Sequence, residues 1–133
     1  MKLQDFDEQF YNSIPGKNEI GIEEKGFYHT IVLGDKKVGI VGFIPTKFED
    51  MGFIQIIIAP EFRGQNLTKE AEEMLAKKYG LKELLATIKK ENTASIRAHE
   101  KAGFQDIPES NLEELRKKGF LKDDDIRMSK IID

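Results

Sequence analysis

The sequence predicts an α/β domain: a mixed sheet in which an antiparallel hairpin precedes a parallel strand pair, with helices on both faces. Three observations carry this. Residues 53–104 read FIQIIIAPEF, RGQNLTKEAEEMLAKKYG, LKELLATIKKEN and TASIRAHEKAGF, an alternation of apolar runs with amphipathic segments that spells strand, helix, strand, helix. Two strands joined by a helical crossover of that length lie parallel, because a tight turn reverses the chain instead. Upstream, residues 27–33 and 38–44 are β-rich runs around Gly34-Asp35-Lys36-Lys37, which reads as an antiparallel hairpin. Finally, 133 residues without a repeat or a low-complexity tract fit one domain, 1–133, large enough to bury a core.

The elements follow in order. Asp5 with Glu8 three residues on predicts a helix start, with Leu3, Phe6, Phe10 and Ile14 along one face and Pro15-Gly16 as the stop. Residues 17–26 show no period. Residues 45–52 read as a loop into the central strand. The crossover helix sets Leu67, Ala71, Met74 and Leu75 on one face and Lys69, Glu72, Glu73 and Lys77 outward, and Gly80 stops it. Residues 84–88 form a continuous apolar run, the pattern of a strand buried on both faces. Ser110 to Glu113 is a capping box for a short helix, closed by Lys117, Lys118 and Gly119, and residues 126–132 supply a last strand.

Composition excludes several classes. No run of eighteen apolar residues and no charged-then-apolar leader is present, so neither a membrane span nor a signal peptide is expected. The absence of cysteine removes disulfides, thiolate metal sites and cysteine nucleophiles, and fits a cytoplasmic location. A net charge of −3 with both signs interspersed offers no basic stripe for nucleic acid. No metal is expected.

The turn Arg63-Gly64-Gln65-Asn66 lies where the first parallel strand ends and the crossover helix begins. The first N–H groups of a helix lack intrahelical partners and carry the positive end of the dipole, so an anion is favoured there. Gly64 permits close backbone approach, and Asn66 tolerates a left-handed backbone and suits a helix N-cap. The N–H groups of Gly64, Gln65, Asn66, Leu67 and Thr68 would then form a nest for a pyrophosphate, with Arg63 as a charge-assisted partner.

This stretch resembles the acyl-CoA core of the GNAT N-acetyltransferases. Ala59-Pro60-Glu61-Phe62-Arg63-Gly64-Gln65 is similar to the family's V-x-P-x-x lead-in and Q/R-x-x-G-x-G/A turn. Asn92 to Ile96 and Glu100 to Phe104 are similar to its N-x-x-S-I-R...E-K-x-G-F segment. The turn departs from the pattern at Asn66 and Thr68. The resemblance implies a mixed, mostly antiparallel sheet with a central parallel pair. It further implies acetyl-CoA as co-substrate and direct attack by a primary amine in a ternary complex.

It also implies roles. Backbone at Ile57 and Ile58 would bind pantetheine and polarise the thioester carbonyl. Asn92, beside Ser95, would contact the cofactor arm, and Asn92 is equally suited to cap the helix that follows. Seven residues after Asn92, where many members carry the tyrosine that protonates the leaving thiolate, stands His99; a reference pKa of about 6.5 suits it to donate. Glu49 and Asp50, just before the central strand, are the candidates for the base. The short N-terminal region leaves the acceptor side either open or completed by a second copy in a homodimer. An acyl-CoA-binding sensor or partner-binding module of the same fold is the rival reading, while a nucleotide-binding protein lacks its G-x-x-x-x-G-K-[ST] or Gly-x-Gly-x-x-Gly signature.

Overall fold

The computed structural model describes the whole chain, Met1–Asp133. Its elements are β1 (Lys2–Asp5), α1 (Glu8–Ser13), β2 (Phe27–Leu33), β3 (Lys36–Pro45), β4 (Met51–Ile58), α2 (Leu67–Tyr79), β5 (Glu83–Lys89), α3 (Thr93–Lys101), β6 (Gln105–Asp106), α4 (Glu109–Lys117) and β7 (Asp125–Ile131). The strands form one seven-stranded sheet in the order β1-β2-β3-β4-β5-β7-β6. All neighbours are antiparallel except β4 and β5, the predicted parallel pair.

The core has two parts because β4 is covered on both faces. Ile54 points towards α2 and α3, into a cluster with Val41, Ala71, Leu75, Leu84 and Met128. Ile57 points to the other face, where α1 and its following turn bury Ile14 and Ile20 against Ile40. In β3, Val38 shares the first cluster with Val41, whereas Ile40 belongs to the second. An irregularity in the β2–β3 register makes this possible, since Ile31 faces Gly39 and the next residue, Val32, faces Lys37. The extra residue shifts Val38 out of the simple alternation.

Five expectations are corrected. Residues 2–5 are a strand, not the start of a helix: Lys2 through Asp5 pair in register with Val32 through His29. The helix begins only after Asp7, whose Oδ1 accepts from Phe10 N at 3.0 Å, so Asp7 and not Asp5 is the cap. The hairpin turn is tighter than expected, closing at Leu33↔Lys36 with Gly34 at φ 66°. β5 is buried on one face only, with Leu84, Ala86 and Ile88 inside and Thr87 and Lys89 exposed. The helix expected from Ser110 starts at Glu109, after Pro108.

One feature of the sheet positions the site. β4 and β5 pair only from Met51↔Glu83 to Phe53↔Leu85, although β5 continues against β7 as far as Lys89↔Asp125. Beyond Phe53 the two parallel strands diverge. The gap opens towards their C-terminal ends, where α2 and α3 begin.

Candidate active site

The opened edge of β4 exposes particular backbone groups. Ala59 N donates to Val38 O at 2.8 Å, so residue 59 faces β3, and Arg63 Nε donates to Ile58 O at 3.0 Å on the opposite side. Because successive residues of a strand alternate, Ile56 and Ile58 turn their N–H and C=O groups to the gap, and Ile57 turns its own to β3. Of the two expected strand residues, Ile58 therefore offers backbone to the gap, whereas Ile57 borders it and anchors the second core. Ile56 joins Ile58.

Beyond Ile58 the chain makes a short 3₁₀ turn at Pro60–Phe62 and then bends twice through left-handed conformations, at Gly64 (φ 81°) and Asn66 (φ 58°). Asn66 holds the N-cap position of α2 without a side-chain capping bond; its contribution is backbone geometry. No other non-glycine residue has positive φ. A β-branched side chain there would meet its own backbone, so Asn66→Val is expected to cost roughly 1–2 kcal/mol while Asn66→Gly is close to neutral, as urea unfolding would measure.

The second wall is the start of α3. Asn92 caps it, its Oδ1 accepting from Ser95 N at 3.2 Å. Between the walls lies a cleft of about 870 Å³. It is lined by Ile56, Ile57 and Ile58, by the turn from Phe62 to Lys69, and by Asn92, Ser95 and His99 among others on α3. Every cofactor-site residue expected from the sequence borders this one space: Ile57, Ile58, Arg63, Gly64, Gln65, Asn66, Leu67, Thr68, Asn92 and Ser95. Arg63, Lys69, Arg97 and Lys101 make the lining cationic, and Glu19 is its one carboxylate.

The expected catalytic residues fare differently. Glu49 and Asp50 are not brought to the cleft. They precede Met51, and Asp50 O accepts from Lys82 N and Glu83 N at 2.7 and 3.1 Å. At about 3.3 Å per residue, the length of β4 separates them from its opened end by on the order of 20 Å. His99 does stand in the cleft wall, but it is only 5% exposed and both ring nitrogens are engaged. Nδ1 lies 2.9 Å from Ser95 O, and Nε2 lies 3.0 Å from Glu72 Oε2. A direct proton transfer from His99 would have to break one of these bonds.

Sequence reasoning missed two carboxylates. Glu19 sits in the stretch without a period, and nothing there announces it. Glu72 was expected on the outer face of α2, yet it is fully buried, with Oε1 lacking any partner. The available signal was Ala76: residues 72 and 76 share a face, and a buried alanine there widens the buried arc to include Glu72. Burial raises the Glu72 pKa, against the opposing hydrogen bond from His99. For His99, burial pulls the pKa down, but the hydrogen bond and charge of Glu72, with the Ser95 carbonyl, outweigh it and leave the value raised.

The chain adopts the fold of Campylobacter jejuni N-acetyltransferase PseH, solved in complex with acetyl coenzyme A, with a TM-score of 0.69 at 11% identity over 98% of this chain and 97% of that one. A chimera of the Vibrio cholerae spermidine N-acetyltransferase SpeG superposes with a TM-score of 0.67 at 15% identity, over 98% and 96% of the two chains. At such identities the likeness concerns fold alone. No curated protein sequence matches the chain. The family model described as "Acetyltransferase (GNAT) domain" matches residues 3–105, well over half of the sequence. On that match, and in a fold that agrees with it, the chain belongs to the GNAT acetyltransferase family.

Proposed function

We propose that the chain is an acyl-CoA-dependent N-acetyltransferase that moves an acetyl group from acetyl-CoA to a primary amine by direct attack in a ternary complex. The observation that carries this reading is the opened edge of β4 beside the left-handed turn and the first N–H groups of α2. In this reading the pyrophosphate rests on the N–H groups of residues 64–68, with Arg63 and Lys69 nearby. The pantetheine arm, an amide chain, completes the ladder that β4 lost, pairing with Ile56 and Ile58 in place of β5. Asn92, whose Oδ1 is spent on Ser95 N, turns its amide nitrogen to the same arm.

The reaction forms one N–C bond and breaks one C–S bond. The amine sheds a proton and the thiolate gains one. The tetrahedral oxyanion between these events needs fixed donors, and N–H groups of the freed β4 edge are preorganised for it. Glu19, the carboxylate of the lining, attracts the ammonium form of the acceptor and takes its proton. With both His99 nitrogens bonded within the protein, the second proton, released from nitrogen as the N–C bond forms, passes through water in the cleft to the thiolate. No metal enters this scheme.

Acetyl-CoA mixed with a panel of primary amines, followed by release of free thiol, tests the reading. The expected result is turnover well above acetyl-CoA hydrolysis with at least one amine. Tight binding of acetyl-CoA without turnover on any amine would favour the sensor reading instead, and absence of binding would overturn both.

A further inference from the structure

Glu72 and His99 take no part in the chemistry above, yet they occupy the junction between the two helices whose first turns wall the cleft. The protons of this pair can be counted. Ser95 O only accepts, so His99 Nδ1 carries a hydrogen. Nε2 and Glu72 Oε2, 3.0 Å apart, then need one more proton between them. It resides on the ring, giving imidazolium and carboxylate, or on the carboxyl, giving two neutral groups. Both arrangements hold the same number of protons. Removing that proton would set a lone pair against a buried carboxylate whose Oε1 already lacks a partner, a costly state.

The charged groups facing the pair are few. Lys130, on β7, donates to Ala102 O at 2.6 Å and to Glu73 Oε2 at 3.1 Å; its charge favours the Glu72 carboxylate, and the charge of Glu73 opposes it. From Glu72 the polar chain runs through the His99 ring to the Ser95 carbonyl, and the N–H of the same Ser95 is held by Asn92. A core carboxylate on α2 is thereby connected to the cleft-facing cap of α3.

We propose that Glu72 and His99 are positioning residues for coenzyme A: the bond they share ties α2 to α3 and sets the spacing between the N–H groups of residues 64–68 and the side chains of Asn92 and Ser95. This deepens, and rests on, the acetyl-CoA reading of the cleft. Stability is weak ground for retaining the pair, because well-packed apolar residues of similar volume often replace a buried ion pair at no loss or with a gain. What leucines cannot supply is a directional link that ends on the Ser95 carbonyl.

The test compares the wild-type protein with three variants. Glu72→Gln keeps the bond, since the amide donates to Nε2. The pair Glu72→Leu with His99→Leu fills the space and removes the bond. His99→Gln keeps a donor for Glu72 while releasing the Ser95 carbonyl, and it decides the matter if the double variant does not fold. Affinity for coenzyme A is measured by calorimetry per folded molecule, and amide hydrogen exchange is followed over residues 92–96 without ligand. Wild type and Glu72→Gln are expected to bind within about twofold of one another. The double-leucine protein is expected to melt no lower than wild type yet to bind at least about tenfold more weakly, with faster exchange at the start of α3; His99→Gln should show the same weakening. Unchanged affinity in folded double-leucine protein, or in His99→Gln, overturns the positioning role alone. Failure of the wild-type protein to bind coenzyme A overturns the cofactor reading beneath it.

Discussion

Gly64→Pro is expected to weaken acetyl-CoA binding by about a hundredfold or more, the scale of losing a hydrogen bond to a charged group together with the geometry around it. Gly64 has φ 81°, and proline fixes φ near −65°, so the turn cannot keep its path. The substitution also deletes one N–H of the proposed nest. The helix behind it survives, because α2 begins at Leu67, and its buried side chains Leu67, Ala71 and Leu75 remain seated in the core. Gly64→Ala separates the two causes. An added Cβ would meet nothing within 4 Å, so alanine retains the N–H and introduces only left-handed strain of roughly 1–2 kcal/mol. Calorimetric titration of both variants, with circular dichroism to establish the folded fraction, gives the answer. A folded proline variant that binds like wild type would place the phosphates elsewhere.

That turn was legible in the sequence for the reason that makes it vulnerable. Only glycine and asparagine reach left-handed backbone cheaply, so Gly64 and Asn66 announce the two bends. The order of strands and helices around it was legible too, since apolar periodicity survives in residues 53–104 whatever their neighbours do. β1 was not, because an edge strand of four residues with one half-buried side chain carries no alternation, and its pairing with β2 depends on residues about 30 positions away. Nor was the parting of β4 from β5. Sheet twist and the partners on either side decide where a ladder ends, and no residue at Phe53 or Leu85 marks it. That Glu49 and Asp50 stand away from the cleft was not legible for a related reason. Proximity to the central strand in sequence says nothing about which end of it a residue occupies.

Glu72 was only half legible, since Ala76 widens the buried arc to include it but nothing near it announces the partner 27 residues away that a buried carboxylate needs, and its burial leads to the second large expectation. Wild-type stability should fall as pH rises above about 6.5, and that of Glu72→Gln should fall as pH drops below it. The sign follows from linkage. In the wild type the folded pKa of His99 is raised above 6.5 and that of Glu72 is raised as well, so the native pair retains a proton that the unfolded chain has released. The stability it contributes is complete below 6.5 and is lost as pH climbs through the folded value. The slope is at most about 1.4 kcal/mol per pH unit, one proton's worth. In Glu72→Gln the charge that raised the histidine is gone while burial, which lowers it, remains. The folded ring then stays neutral where the unfolded one gains a proton, so stability is complete above 6.5 and is lost as pH falls. Urea unfolding of both proteins between pH 5.5 and 8.5 reads this as the difference between them, in which the groups common to both cancel. Asp7, held low by Lys37, titrates below that window, and Tyr28 and Tyr79, both raised by burial, titrate above it. If both proteins tilt the same way with pH, the shared proton is not where the geometry puts it, and Glu72 is then a buried neutral acid that His99 merely touches.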